Sequence, residues 1–80
     1  MCHGIPNNRE LKDGDIINVD VTCFYEDYHG DSSIMIKINQ IERPIEKLIT
    51  VTREGLLKAI KICAPGVKIN QIGRLIEYLN

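Results

Sequence analysis

Two aspartates, Asp20 and Asp31, are the residues of this 80-residue chain best suited to chemistry. Asp20 stands in the middle of "DIINVDVTCFY" (15–25), a run of strong β-formers in which a charged carboxylate is costly to desolvate. Asp31 opens the next such run, "DSSIMIKIN". Two carboxylates on one surface repel each other unless a basic group, a shared proton or a divalent cation lies between them. The pair predicts a metal site if the backbone brings both side chains to one face.

The length of the turn between the two runs decides whether they share a face. With a two-residue turn at Glu26-Asp27, Asp31 lies opposite Thr22, and Asp20 is its diagonal neighbour with the two backbones about 7–8 Å apart. A turn one residue longer places the two carboxylates on opposite faces. In the alternative without a metal, Asp20 caps a bulge and Asp31 starts a strand, each bonded to backbone N–H groups.

The hydrophobic pattern predicts an α+β order of elements. Alternation over about 15–25 and about 29–39 is typical of a β-hairpin, and from Pro44 the apolar spacing changes to that of a helix. We expect a long helix over about 44–62, which Pro65-Gly66 ends, and a short helix over about 70–79. The stripe of the long helix comprises Ile45, Leu48, Ile49, Thr52, Leu56, Ala59, Ile60 and Cys63.

These elements predict a single partial domain over residues 1–80. A two-stranded sheet is marginal by itself, and both helices carry apolar stripes that need a surface to cover. We therefore expect a missing second half, and self-association through the exposed sheet edge and the uncovered stripes.

Composition excludes some classes of partner. A net charge of −1 argues against nucleic acid or an anionic membrane, since both attract basic surfaces, and no apolar run reaches the ~20 residues of a membrane span. Cys2, Cys23 and Cys63 form neither a disulfide framework nor a CxxC pair, which favours a reducing, cytoplasmic setting. We expect Cys23 and Cys63 to be small core residues, and His29 a solvated residue of the hairpin turn.

A zinc site built from Cys2, His3, His29 and Asp31 is a weaker alternative. Neighbours in sequence such as Cys2 and His3 seldom bind one ion, and the spacing matches no structural zinc pattern. A cysteine nucleophile would need an activating histidine held by a third group, which the sequence does not identify.

Three segments carry a family likeness: "CHGIPNNRELKDGDIINVDVT", "YHGDSS" and "APGVKINQIG". Together they resemble the methionine aminopeptidases, the type I branch most of all, from Cys2 to about Leu79. The resemblance implies the pita-bread fold, in which two sheet-and-helix halves related by a pseudo-twofold axis surround a dinuclear metal site. This chain would be the first half.

The resemblance also implies roles for individual residues. Asp20 would bind one metal through both oxygens, Asp31 would bridge two metals, and His3 would contact the substrate near the scissile bond. In some members backbone carbonyls hold a monovalent cation, here those of Asn18 and Val21. Two divalent ions (Co, Mn, Fe or Zn) would supply a hydroxide that releases the N-terminal methionine of a nascent polypeptide.

Departures from the family pattern leave alternatives open. The family's remaining ligands, one histidine and two glutamates, belong to the second half, Ser32 replaces the usual Thr, and "IMIKIN" replaces an aromatic-and-glycine strand end. The alternatives are a non-catalytic pita-bread binding module, an engineered subdomain, and a relative of prolidase or aminopeptidase P. The "CHGIP" block argues against the last, and the presence of Asp20, Asp31 and His3 favours the enzyme.

The 80 residues alone are expected to be an inactive fragment, because two carboxylates without three further ligands hold metal weakly and position it poorly. Incubating the purified 80-residue polypeptide with divalent metal and a Met-Ala peptide should release no methionine. Robust methionine release in that assay would contradict the expectation.

Overall fold

The computed structural model describes residues 3–79, and their elements follow the predicted α+β order. Strands β1 (Ile16–Tyr25) and β2 (Tyr28–Lys37) precede helices α1 (Arg43–Ile62) and α2 (Asn70–Leu79). The strands form a two-stranded antiparallel sheet. The chain divides into two compact units between Ile41 and Glu42, a hairpin unit and a helical unit.

A two-residue turn closes the hairpin. Glu26 and Asp27 both have positive φ, 47° and 68°, and Tyr25 pairs with Tyr28 on either side of them. Positive φ at both central residues is the type I′ conformation, whose twist matches that of paired strands. The pairing runs without interruption from Tyr25 with Tyr28 to Ile16 with Lys37, so the turn sets the partner of every residue in both strands.

Hydrogen bonds beyond the strands hold the open end of the hairpin. The Ile38 N–H donates to the Asp15 carbonyl at 2.9 Å, and the Gly14 N–H donates to the Ile38 carbonyl at 3.0 Å. Gly14 and Asn39 adopt positive φ, 87° and 55°, and the Asn39 amide donates to the Asp13 carboxylate. The segment before β1 is therefore anchored to the base of the hairpin.

One face of the hairpin is apolar and exposed. Val21 is 53% exposed and Ile34 is 64% exposed, although both belong to the face that the alternation pattern assigns to a core. Cys23 lies on the same face and is exposed. The prediction that Cys23 is a core residue is therefore wrong for the described residues, because its face is left open to solvent.

The helical unit is an αα-hairpin. Pro44 lies in the first turn of α1, where its missing N–H costs no hydrogen bond. After α1, the Val67 N–H donates to the Ala64 carbonyl at 3.1 Å across a turn in which Gly66 has φ 86°. Gly55 and Ala59 are the buried residues of α1, and a methyl group on Gly55 would lie 3.8 Å from Leu79 Cδ1 of α2.

The face of α1 that packs against α2 is rotated from the predicted stripe. Of the stripe, Ala59 is buried, but Leu48, Leu56 and Ile60 are 60%, 59% and 58% exposed. Cys63 is also exposed, and its thiol donates to the Ala59 carbonyl at 3.2 Å, so the prediction of a core Cys63 is wrong. Gly55 allows close approach of α2 at Leu79, whereas Leu56 and Ile60 stay largely exposed.

Within residues 3–79, neither helix is both long enough and apolar enough to cross a membrane.

Replacing Asp27 by glycine should stabilise the protein, and replacing Gly66 by alanine should destabilise it. Asp27 has φ 68° and Gly66 has φ 86°, a backbone region that costs an L-residue about 1–2 kcal/mol and glycine little. Thermal unfolding followed by circular dichroism should show midpoint shifts of opposite sign. Shifts of the same sign would contradict the turn assignments.

Candidate metal centre

The observed register places Asp20 and Asp31 on one face of the hairpin. Asp31 pairs with Thr22. Asp20 pairs with Ser33, and this pair lies two residues further from the turn along each strand. Directly paired residues project to the same side of a sheet, as do residues two apart in one strand. The condition on which the sequence prediction depended, a two-residue turn at Glu26-Asp27, is therefore met.

The pairs on this face are the closely spaced ones of the ladder. Asp15 and Ile38 are the next residues of the register beyond Ile16 and Lys37. The Ile38 N–H donates to the Asp15 carbonyl, so Asp15 and Ile38 form a hydrogen-bonded pair. Hydrogen-bonded and non-hydrogen-bonded pairs alternate in an antiparallel ladder. Pairs with an even-numbered β1 residue, including Asp20 with Ser33, are therefore non-hydrogen-bonded, with Cα atoms about 4.5 Å apart and side chains closer.

The surroundings of the two carboxylates suit a cation. Both are exposed, and neither forms an ion pair with a residue in the described range 3–79. Carboxylate oxygens are hard ligands for divalent ions. The described residues contain no cluster of three or more His, Cys, Asp or Glu that could hold a metal. Within residues 3–79 the hairpin therefore presents two carboxylates on one face, and a metal site there would need further ligands.

His29 belongs to this face of the hairpin and not to the turn. It lies in β2, outside the two-residue turn, and pairs with Phe24 across the ladder. Their ring centroids are 4.8 Å apart with a tilt of 46°. His29 is exposed, as predicted, but its placement in the turn is wrong because the turn consists of two residues, Glu26 and Asp27. The two-residue turn that aligns Thr22 with Asp31 also aligns Phe24 with His29, so this contact could have been predicted from the turn.

His3 lies in the segment before β1 and is exposed. The structure brings no other ligand-type residue of the described chain into a metal cluster with it. Its contact with substrate stays a prediction. Cys2 lies outside the described residues, so the zinc alternative that paired it with His3 is untested.

Asn18 and Val21 occupy different faces of β1. Asn18 pairs with Met35 on the carboxylate face, and Val21 pairs with Ser32 on the apolar face. Their carbonyls, three residues apart in a regularly paired strand, point towards opposite edges of that strand. The monovalent cation expected between these carbonyls stays a prediction, and the regular pairing of β1 does not favour it.

Asp15 anchors the segment that leads from His3 to β1. Its carboxylate accepts the Lys12 backbone N–H at 3.0 Å and the Arg9 guanidinium at 2.8 Å. The hydrogen bond from Lys12 lowers the pKa of Asp15 most, desolvation opposes it, and the hydrogen bond and charge of Arg9 lower the pKa further. The backbone N–H of Arg9 donates to the Asn7 side-chain oxygen at 2.9 Å, a further hydrogen bond within this loop.

Comparison of the sequence with known proteins assigns the chain to a family. The model of metallopeptidase family M24 matches residues 1–79. The chain belongs to metallopeptidase family M24.

Several relatives of the chain are named for an enzymatic activity. The chain is 49% identical over 79 residues to methionine aminopeptidase 1D, chloroplastic/mitochondrial, of Arabidopsis thaliana, covering 99% of this chain and 23% of that protein. It is 42% identical to the mitochondrial methionine aminopeptidase 1D of Homo sapiens, covering 99% of this chain and 24% of that protein. For methionine aminopeptidase of Rickettsia prowazekii the identity is 40%, over 96% of this chain and 30% of that protein.

The alignments cover nearly all of this chain but only a part of each relative. The chain spans between 23% and 30% of the length of these three proteins. The antiparallel hairpin followed by two helices is an α+β arrangement consistent with half of an M24 pita-bread domain.

Lowering the pH should weaken the anchor at Asp15. Because the folded-state pKa lies below the ordinary value of 3.8, the ionised carboxylate contributes stability above that value, and the contribution is lost as pH falls through the lower folded pKa. An NMR titration of the Asp15 carboxyl should give a pKa below 3.8, and Arg9→Gln should raise it only partly, because the Lys12 N–H remains.

The matched control is Arg53→Gln, which removes an equal charge from α1, outside the hairpin unit. This change should leave the Asp15 titration unaltered. An Asp15 pKa at or above 3.8 in the unsubstituted protein would contradict the assigned anchor.

Proposed function

We propose that this chain contributes the first two metal ligands, Asp20 and Asp31, to a dinuclear methionine aminopeptidase. The observation that carries the proposal is the register Thr22 with Asp31, which puts both carboxylates on one face of a hairpin. The match of metallopeptidase family M24 to residues 1–79 supports it.

Each carboxylate has a distinct task in this proposal. Asp20 would hold one divalent ion (Co, Mn, Fe or Zn), and Asp31, nearer the turn, would contribute to holding both ions. When bound, the ions supply a hydrolytic nucleophile at neutral pH and polarise the substrate carbonyl. The strands hold the two carboxylates in fixed register, which limits the rearrangement needed when metal binds. The remaining ligands come from the part of the protein that corresponds to the rest of the longer relatives.

The substrate is the N-terminus of a peptide or nascent protein that begins with methionine. The support is the activity in the names of the relatives. His3, in the exposed segment before β1, donates a hydrogen bond to the substrate near the scissile bond as charge develops there.

The proposed setting is a reducing compartment. Cys23 and Cys63 are free thiols, which agrees with a cytoplasmic protein. Relatives with chloroplastic and mitochondrial names show that such proteins also occur in organelles, so the cytoplasm stays a prediction for this chain.

Replacing either Asp20 or Asp31 by asparagine should abolish metal-dependent activity in the protein that contains this chain. Asparagine keeps the shape but removes the charge that balances a divalent ion, so we expect turnover of a Met-Ala peptide to fall more than ~100-fold, beyond the loss typical of outer-shell changes. Elemental analysis after dialysis should show reduced bound metal in the same variants.

Asp27→Asn is the matched control, because it makes the same chemical change on the same hairpin, in the turn. It should retain metal and activity. If the Asp20 and Asp31 variants keep full metal content and turnover, the proposed function is wrong, and a non-catalytic binding module of the same fold becomes the better account.

A further inference from the structure

Each proposed metal ligand has a hydroxyl directly across the ladder. Thr22 of β1 pairs with Asp31 of β2, and Ser33 of β2 pairs with Asp20 of β1. The four side chains therefore form an alternating square on one face, with a carboxylate and a hydroxyl in each strand. No other pair in the hairpin register combines a carboxylate with a hydroxyl.

The register places each hydroxyl-bearing residue directly opposite a carboxylate-bearing residue, at the closer of the two spacings of an antiparallel ladder. Both pairs are of the closely spaced, non-hydrogen-bonded kind, in which Cβ atoms lie about 4.5–5.5 Å apart. Phe24 and His29 form the next pair of this kind, and their rings are in contact with centroids 4.8 Å apart. At this neighbouring pair, side chains of the same face therefore meet across the strands.

The donor and acceptor capacities also match. A Thr or Ser hydroxyl carries one O–H donor that rotates to suit its partner, whereas an ionised carboxylate only accepts and offers about four lone-pair sites. A carboxylate that binds metal through part of this capacity keeps lone pairs for a hydrogen bond from an O–H group. Such a bond holds the carboxylate plane in one orientation without competing for the metal.

We propose that Thr22 and Ser33 are positioning residues that orient the Asp31 and Asp20 carboxylates for metal binding, Thr22 acting on Asp31 and Ser33 on Asp20. The inference rests on the proposed function, since it requires these carboxylates to be metal ligands. Outer-shell partners of ligands typically contribute 10–100-fold to metal affinity.

Ser32 provides a matched control beside Ser33. It pairs with Val21, so its side chain projects to the apolar face, away from both carboxylates. Ser32 and Ser33 have the same side chain and adjacent positions in β2, and they differ in the face they occupy. A general effect of removing a serine hydroxyl from β2 should appear equally at both positions, whereas a positioning role should appear only at Ser33.

The test uses the full protein that contains this chain, stripped of metal and titrated with Co²⁺ alone. Calorimetry should show Co²⁺ affinity about 10–100-fold weaker for Thr22→Val and for Ser33→Ala. The visible absorption spectrum of bound Co²⁺ should also change in these variants, because ligand orientation alters the coordination geometry. Thr22→Ser, which retains the hydroxyl, should restore affinity and spectrum, whereas rescue by hydroxyl is not expected of a role in strand packing.

The outcomes separate this inference from the proposed function. Wild-type affinity and spectrum in Ser32→Ala, with losses in Thr22→Val and Ser33→Ala, support the positioning role. If the latter two variants bind Co²⁺ like Ser32→Ala while Asp20→Asn and Asp31→Asn lose binding, the positioning role is overturned and the metal site stands. If the aspartate variants bind Co²⁺ normally, the metal site is overturned and this inference with it.

Discussion

The two-residue turn at Glu26-Asp27 is the constraint on which the candidate site depends. Side chains alternate between the faces of a strand, so a turn longer by one residue would move Asp31 to the face opposite Asp20. The turn requires positive φ at two residues that are not glycine, which is unfavourable locally. The ladder of ten residue pairs that follows holds the turn in this conformation despite that cost.

The same register separates two kinds of surface. One face carries Asp20, Thr22, Asp31 and Ser33, and the opposite face carries Val19, Val21, Ile34 and Ile36. The apolar residues remain between 38% and 64% exposed, as do large side chains along α1. The chain spans about a quarter of the length of its relatives. Exposed apolar faces on both units agree with this, because an apolar face is normally covered by another layer of secondary structure.

The proposed ligands and the proposed substrate contact are held in different ways. Asp20 and Asp31 lie within paired strands, so the backbone hydrogen bonds of the ladder fix the two residues relative to each other. His3 lies in a loop in which the Asp15 carboxylate accepts hydrogen bonds from Arg9 and Lys12. A strand-borne ligand pair is preorganised by the hairpin alone, whereas a loop-borne histidine needs the surrounding protein to define its direction.

The sequence by itself determined the order of elements, the identity of the paired carboxylates and the family, because alternation, helical spacing and long ordered motifs are local properties. The tertiary structure decided what depends on strand pairing and on the packing of one element against another. It selected the two-residue turn, placed His29 against Phe24 and rotated the packed face of α1 towards Gly55 and Ala59. Cys23 and Cys63 are exposed where their apolar neighbours predicted burial, since burial depends on what covers a face as well as on its composition.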